Sequence, residues 1–164
     1  MKEATHTYVP PRIEAVPPPS VAQYLDGTNL LQKTQAIRLS TIDPAGWPHA
    51  ALLSAGDMLI LPSGQFRFVI FPNSTTTANL MRDGRLTVTL ALAEGIWEIR
   101  LKARRLVHTA PDVPLAFFEA ELKSARVHNA PYAAITSGIT FALHEPDAVL
   151  PRWQRQIAAL RAAT

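Results

Sequence analysis

The chain has 164 residues, with 16 Lys and Arg against 13 Asp and Glu and a formal charge of +3 at pH 7. This length suits one domain with a real core, and 48% hydrophobic against 18% charged residues excludes a mostly disordered chain. The absence of cysteine excludes disulfides, cysteine nucleophiles and sites in which thiolates bind zinc or iron–sulfur clusters.

The N-terminal segment differs in composition from the rest of the chain. Five of the 14 prolines fall in residues 1–19, which predicts an extended arm, either loose or lying over a partner. Residues 20–164 are then expected to form a single domain. No signal peptide is visible and no apolar run approaches the roughly 18–20 residues of a membrane span, so we expect a cytoplasmic protein without a membrane partner.

The first half of the chain is predicted to begin with a short helix capped by Ser20 and to continue as hairpins. Strands are predicted over 35–43 and 48–54, joined by a turn with proline second and glycine last. Two further strands, over 58–61 and 65–71, lie either side of the turn Pro62-Ser63-Gly64.

A helix is predicted next, capped by Asn73 or Ser74 and ending at Gly84. Residues 86–92 then alternate apolar with polar or small side chains, which is typical of a strand. After a turn at Gly95 the alternation continues over 97–104, with one apolar face and one charged face. The charged face carries Glu98, Arg100, Lys102 and Arg104.

The last third is predicted to hold two helices and a strand. A helix is expected over 111–124 because Leu115, Phe118 and Leu122 are spaced as on one helical face. A strand is expected over 136–143, and Asp147 is expected to cap a final helix whose apolar stripe packs in the core, at a dimer contact or beside a pocket. The order predicts a mainly β protein with flanking helices, in which about six antiparallel strands close into a barrel.

Ser74 and the three threonines after it are the most informative local feature. A helix N-terminus offers unpaired N–H groups and a partial positive charge, so hydroxyls beside it can form a phosphate site without a glycine-rich loop. The alternative interpretation is a polar helix cap with no ligand.

The net charge of +3 lies entirely within residues 82–105. The basic strand in this window could bind a phosphate, a flavin edge or an acidic partner, or it could be a solvated face. Aromatic residues do not alternate with its basic ones, which argues against nucleic acid. The five histidines lack metal-ligand spacing and no serine has a nucleophile-elbow context, so neither a metal site nor a hydrolase is predicted.

Three segments, in order, resemble the pyridoxamine 5′-phosphate oxidase-like family of FMN-binding split barrels. Residues 36–54 resemble its opening hairpin, and 97–103 resemble its strand with Gln-Val-Arg and a small residue. Residues 71–85 resemble its strand-to-helix segment, with Ser74 at the phosphate-binding serine, Asn79-Leu80 at its Asn-Leu pair and Asp83-Gly84-Arg85 at its Asp-Pro-Arg stop. The likeness spans roughly residues 20–145.

The resemblance implies a homodimer with FMN in clefts at the dimer interface, and deazaflavin or haem as alternative ligands. By position it implies a cofactor site formed by His49, Ala50, Ala51, Leu52, Phe71, Pro72, Asn73, Ser74, Thr75, Thr76, Glu98 and Arg100. The chain departs from the family pattern where His49 replaces an arginine, Thr76 a lysine and Glu98 a glutamine. These changes weaken the expected phosphate attraction, which Arg82, Arg85, Arg100 or Lys102 would have to restore.

Two functions follow as expectations from this resemblance. The first is a flavin-dependent oxidoreductase that transfers hydride to or from a small-molecule substrate. The second is a non-catalytic protein that binds flavin, deazaflavin or haem on the same fold.

Overall fold

A computed structural model describes residues 8–108 and 110–164. Helix α1 (Pro19–Tyr24) and a 3-10 helix (Leu30–Gln32) precede β1 (Ile37–Ile42), β2 (Pro48–Leu53), β3 (Met58–Ile60) and β4 (Phe66–Ile70). Helix α2 (Thr75–Arg82) follows, then β5 (Arg85–Leu92), β6 (Gly95–Arg105), β7 (Ala116–His128) and α3 (Pro146–Ala162). Within these described residues, no helix is long and apolar enough to cross a membrane.

The seven strands form one antiparallel sheet in the order β2-β1-β5-β6-β7-β4-β3. The sheet's inner face surrounds the main core, to which α1 contributes Val21, its C-cap residue Leu25 adds a second side chain, and α2 contributes Leu80. The alternation predicted for β6 is confirmed, because Trp97, Ile99, Leu101 and Ala103 are all buried there. The mainly β split-barrel prediction is therefore confirmed, with a seventh strand in place of a predicted helix.

That seventh strand corrects the prediction of a helix over 111–124. Arg100 pairs with Ser124 but Leu101 pairs with Leu122, so β7 carries a bulge. Phe118, Ala120 and Leu122 face the inner core before the bulge, and Ala125 and Val127 face it afterwards. The predicted helical spacing arose because Leu115, which precedes the strand and packs against a second hydrophobic cluster, lies three residues before Phe118, while Phe118 and Leu122 share one strand face. Phe117 is buried on the opposite face, under α3.

The other differences concern ends and short segments. The predicted strand over 136–143 is only an isolated bridge between Gln35 and Thr140. Helix α1 is capped by Pro18 rather than Ser20, and α3 by Glu145 rather than Asp147, because in both a proline occupies the first turn. In the proline-rich arm, Glu14 pairs with Ala125 of β7 through main-chain hydrogen bonds, whereas the part over 1–7 lies outside the described residues.

A second hydrophobic cluster attaches α3 to the outer face of β3, β4 and β7. It includes Trp153, Ile157 and Leu160 of α3. A Cβ added to Gly56 would lie 2.1 Å from Cγ of the Trp153 indole, so glycine is needed for this close approach. The Trp153 side chain therefore packs directly against the main chain just after β2.

A buried ion pair between Arg67 and Glu119 holds the C-terminal end of α3. Arg67 of β4 donates to the Glu119 carboxylate over 2.9 Å and to the Leu160 carbonyl over 2.8 Å. Glu119 also accepts from Arg104 over 2.7 Å. Arg67 thus places a positive charge at the C-terminus of α3, where the helix dipole is negative.

We expect Glu119→Gln to destabilise the fold by about 3–5 kcal/mol, because it leaves the buried Arg67 guanidinium without a counter-charge. Equilibrium denaturation in urea measures this loss. Glu121→Gln is the matched control, since its ion pair with Lys123 on the same strand is exposed and should cost less than about 1 kcal/mol. Equal midpoints for the two variants would contradict a role of Glu119 in holding α3.

Candidate functional site

The site is a cavity of about 520 Å³ between the end of β2, the β4–α2 junction, residues 112–115 and α3. Its apolar walls include Ala51, Leu52, Val69, Ile70 and Phe71. Leu52 and Phe71 remain 54% and 69% exposed, so the mouth presents large apolar side chains to solvent. The volume and the apolar lining are those of a small-molecule site.

The N-terminus of α2 forms one polar wall of this cavity. Ser74 is the N-cap, as predicted: its Oγ accepts from the Thr77 main-chain N–H over 3.1 Å and donates to the Thr77 hydroxyl. The Thr77 hydroxyl in turn donates to the Phe71 carbonyl over 2.7 Å. The cap therefore uses the Ser74 hydroxyl and the N–H of Thr77, the third residue of the helix. The N–H groups of the first two residues, Thr75 and Thr76, have no partner among the described residues.

Thr76 is the residue of this helix that points a free group at the cavity. It lines the cavity and is only 4% exposed. Its hydroxyl forms no hydrogen bond with any part of the chain that the structure describes. The Thr76 hydroxyl is not among the fully enclosed unpartnered atoms of the described chain, so it is accessible to a group in the cavity.

The opposite wall comes from α3, for which a place beside a pocket was one of the expectations, although none of its polar residues was predicted to line it. Arg152 and Arg155 line the cavity and form no ion pair with another described residue. Gln156 also lines it, is 4% exposed, and donates to the Gly56 carbonyl over 2.9 Å and to Asp57 Oδ1 over 2.7 Å. The second Asp57 oxygen accepts from the N–H and the hydroxyl of Ser54, each over 2.8 Å.

The structure brings together five of the twelve predicted cofactor residues. Ala51, Leu52, Phe71, Ser74 and Thr76 line the cavity. His49 shares a strand face with Ala51 but is not part of the lining, and Ala50 points to the opposite, exposed face. Outside the lining, and exposed at the start of α2, are Pro72, Asn73 and Thr75.

Glu98 and Arg100 lie elsewhere, on the outer face of β6. Glu98 accepts from Arg126 over 2.8 Å, contacts His128 over 3.0 Å and pairs with Arg100 over 3.2 Å. Burial raises the pKa of Glu98, but hydrogen bonds from Arg126 and His128 outweigh it and hold that pKa below its ordinary value. The negative charge of Glu98 is therefore already balanced by Arg100 and Arg126.

The basic window over 82–105 does not supply counter-charge to this cavity within one chain. Arg85 pairs with Asp83, Arg104 pairs with Glu119, and Arg82 donates to the Ile42 carbonyl. Arg85, Arg100 and Lys102 instead line a separate groove of about 760 Å³ on the outer sheet face. In the described part of the chain, no three His, Asp or Glu side chains lie close enough to hold a metal ion.

Comparison with known proteins decides the family. The chain is 32% identical to YclD of Bacillus subtilis (strain 168) over 145 residues, which cover 85% of this chain and 92% of YclD. The chain belongs to the YclD family. No family model matches the sequence.

Solved structures show the fold of this YclD-family chain. The flavin reductase of styrene monooxygenase from Pseudomonas putida S12 is similar with a TM-score of 0.51 at 12% identity, over 62% of this chain and 84% of the reductase. HupZ of Group A Streptococcus gives a TM-score of 0.48 at 14% identity, over 70% of this chain and 94% of HupZ. The fold is the split barrel of the pyridoxamine 5′-phosphate oxidase-like proteins, as the resemblance implied.

Proposed function

We propose that this chain binds FMN in the cavity between α2 and α3 and acts as an oxidoreductase on a small molecule. The observation that carries the proposal is the Thr76 hydroxyl, which lines the cavity without a hydrogen-bond partner among the described residues, beside the N–H groups of Thr75 and Thr76 at the start of α2. A flavin reductase with the same fold supports the ligand class.

The phosphate of FMN fits the α2 end of the cavity. Main-chain N–H groups of Thr75 and Thr76, the Thr76 hydroxyl and the positive end of the helix dipole can all bind an anion. Arg152 and Arg155 on the facing wall add positive charge, which raises the local concentration of an anionic ligand. These two arginines offset the charge that Thr76 lacks compared with a lysine.

The ring fits the apolar part of the cavity, between β2 and β4. Ala51, Leu52, Val69 and Ile70 would bury its faces, and Phe71 would shield it at the mouth. Bound FMN would supply hydride-accepting and hydride-donating chemistry. The chain's own contribution is to orient the ring and exclude water, since its inner carboxylate, Asp57, is already occupied by Ser54 and Gln156.

We further propose a homodimer formed through the outer face of β2, β1, β5 and β6. Ser40, Ala50 and Thr87 lie side by side at the centre of this face, and Arg100 continues it on β6. Leu52 belongs both to this face and to the cavity lining, so the two surfaces are continuous. A second copy on this face would bring another Glu98–Arg100 pair towards the cavity mouth.

The first test is cofactor binding by the purified full-length protein. We expect FMN to bind with a flavin absorbance band near about 450 nm, and Thr76→Val to weaken binding about tenfold to a hundredfold because it removes one charge-assisted hydrogen bond at constant shape. Calorimetric titration gives both affinities. Thr75→Val is the control, because the Thr75 side chain is exposed and outside the cavity. An unchanged FMN affinity in Thr76→Val would show that the phosphate does not bind at Thr76.

The second test separates an enzyme from a carrier. We expect NADH or NADPH to reduce the bound flavin, so that the absorbance band at about 450 nm bleaches anaerobically and returns with oxygen. Flavin that stays oxidised in the presence of either nucleotide, as it does in buffer without a reductant, would favour the non-catalytic alternative. Bleaching no faster than that of free FMN would favour it as well.

The third test concerns the dimer. We expect the wild-type protein to sediment as a dimer and Ser40→Arg to sediment as a monomer, because an unpaired charge at the centre of the interface is costly to bury. Gln65→Arg, in an exposed turn, is the control and should remain dimeric. A monomeric wild-type protein would overturn this interface.

A further inference from the structure

The Gln156 side chain has a fixed orientation. Both of its amide hydrogens have acceptors, one in the Gly56 carbonyl and one in the Asp57 carboxylate. Turning the amide over would place its oxygen against two acceptor oxygens, so the orientation with the nitrogen inward is the only satisfied one. The Asp57 carboxylate is itself held by Ser54, and the Asp57 main-chain carbonyl accepts from Val69.

This orientation leaves the Gln156 oxygen as a free acceptor at the cavity. The oxygen receives no hydrogen bond from the described residues, although 96% of the residue's surface is covered, since Gln156 is only 4% exposed. It is also not among the fully enclosed unpartnered atoms of the described chain, so it opens onto accessible space. Because Gln156 lines the cavity, that space is the cavity itself.

The α3 wall offers an acceptor at this point, on the helix that also carries the donors Arg152 and Arg155. Gln156 offers a carbonyl oxygen, and the neighbouring Asp57 offers only carboxylate oxygens. An acceptor that is almost fully buried costs free energy unless a donor meets it. A ligand that presents an N–H at this point is therefore favoured, and one that presents another acceptor is rejected.

We propose that Gln156 selects the bound cofactor by accepting a hydrogen bond from the imide N–H of its pyrimidine ring. This inference rests on the proposed flavin site and identifies which edge of the ring faces α3. Flavins and deazaflavins both carry the imide N–H at position 3. The rim of haem carries carboxylates, vinyl groups and methyl groups but no N–H donor. Gln156 thus favours a flavin or deazaflavin over haem.

The arrangement assigns separate roles to the two buried polar groups. Thr76, at the start of α2, meets the phosphate end, and Gln156, on α3, meets the far edge of the ring. Asp57 is a positioning residue, because it acts on the ligand through the Gln156 amide.

The first part of the test changes the ligand and uses the wild-type protein. Full-length wild-type protein is titrated calorimetrically with FMN, with 5-deaza-FMN, which keeps the imide N–H, and with FMN methylated at N3, which lacks it. We expect FMN and 5-deaza-FMN to bind within a factor of about three, and N3-methyl-FMN about tenfold to a hundredfold more weakly, which is the loss of one buried hydrogen bond.

The protein side uses Gln156→Met, which keeps the length of the side chain and removes its amide. We expect this variant to bind FMN and N3-methyl-FMN within a factor of about three, because the acceptor that distinguishes them is gone. Gln154→Met is the matched control, since Gln154 is exposed on the same helix and outside this cavity. It should keep the full discrimination of the wild type. Circular dichroism checks that each variant is folded.

Each outcome has a distinct meaning. Equal binding of FMN and N3-methyl-FMN by the wild type overturns the role of Gln156 and leaves the FMN site standing, and this result needs no variant. A penalty for methylation that is equally large in Gln156→Met also overturns it, because the methyl group is then excluded by shape alone. Failure of the wild type to bind FMN at all overturns the proposed function and this inference together.

Discussion

The close contact between Gly56 and Trp153 is the constraint on which the site depends. Because residue 56 has no side chain, the indole of Trp153 rests on the main chain and α3 lies tightly against the barrel. One turn further along the helix, Gln156 then reaches the Gly56 carbonyl and Asp57. Arg67 fixes the far end of the helix at the Leu160 carbonyl. Contacts at its middle and at its C-terminal end thus hold α3 in place as a wall of the cavity.

The cavity lies where the two hydrophobic clusters meet. The inner cluster fills the barrel, and the outer cluster joins α3 to the back of β3, β4 and β7. Each cluster satisfies almost all of its own polar groups, yet Thr76 and Gln156 keep a free oxygen at the seam between them. Both oxygens belong to side chains that are only 4% exposed and both are accessible from the cavity, so a ligand with suitable groups could pair with them.

The sequence predicts those parts of the molecule whose signals are local. Strict alternation identifies β5 and β6, and serine before three threonines identifies the cap of α2. Strand β7 escapes prediction because Leu115, which precedes the strand, gives helix-like spacing with Phe118 and Leu122, and because Phe117 and Phe118 are buried on opposite faces. The final helix was expected beside a pocket as one option, but its polar residues escape prediction for another reason: Gln156 and Asp57 are 99 residues apart, and no local pattern indicates that they meet. The basic window misleads because three of its six basic residues, Arg85, Arg100 and Arg104, form ion pairs, and none of the six lines the cavity.

Thr76 stands at the start of α2 where the resembling family often has lysine, and this difference affects how binding of a phosphate would depend on pH. Main-chain amides and a threonine hydroxyl carry no titratable proton in the ordinary pH range, and arginine stays protonated throughout it. A phosphate held here would therefore meet the same wall in mild acid and in mild base. Among these groups, only the ligand's own second phosphate proton, with a pKa of about 6, titrates in that range. Retention of such a ligand would follow the charge of the ligand rather than that of the protein.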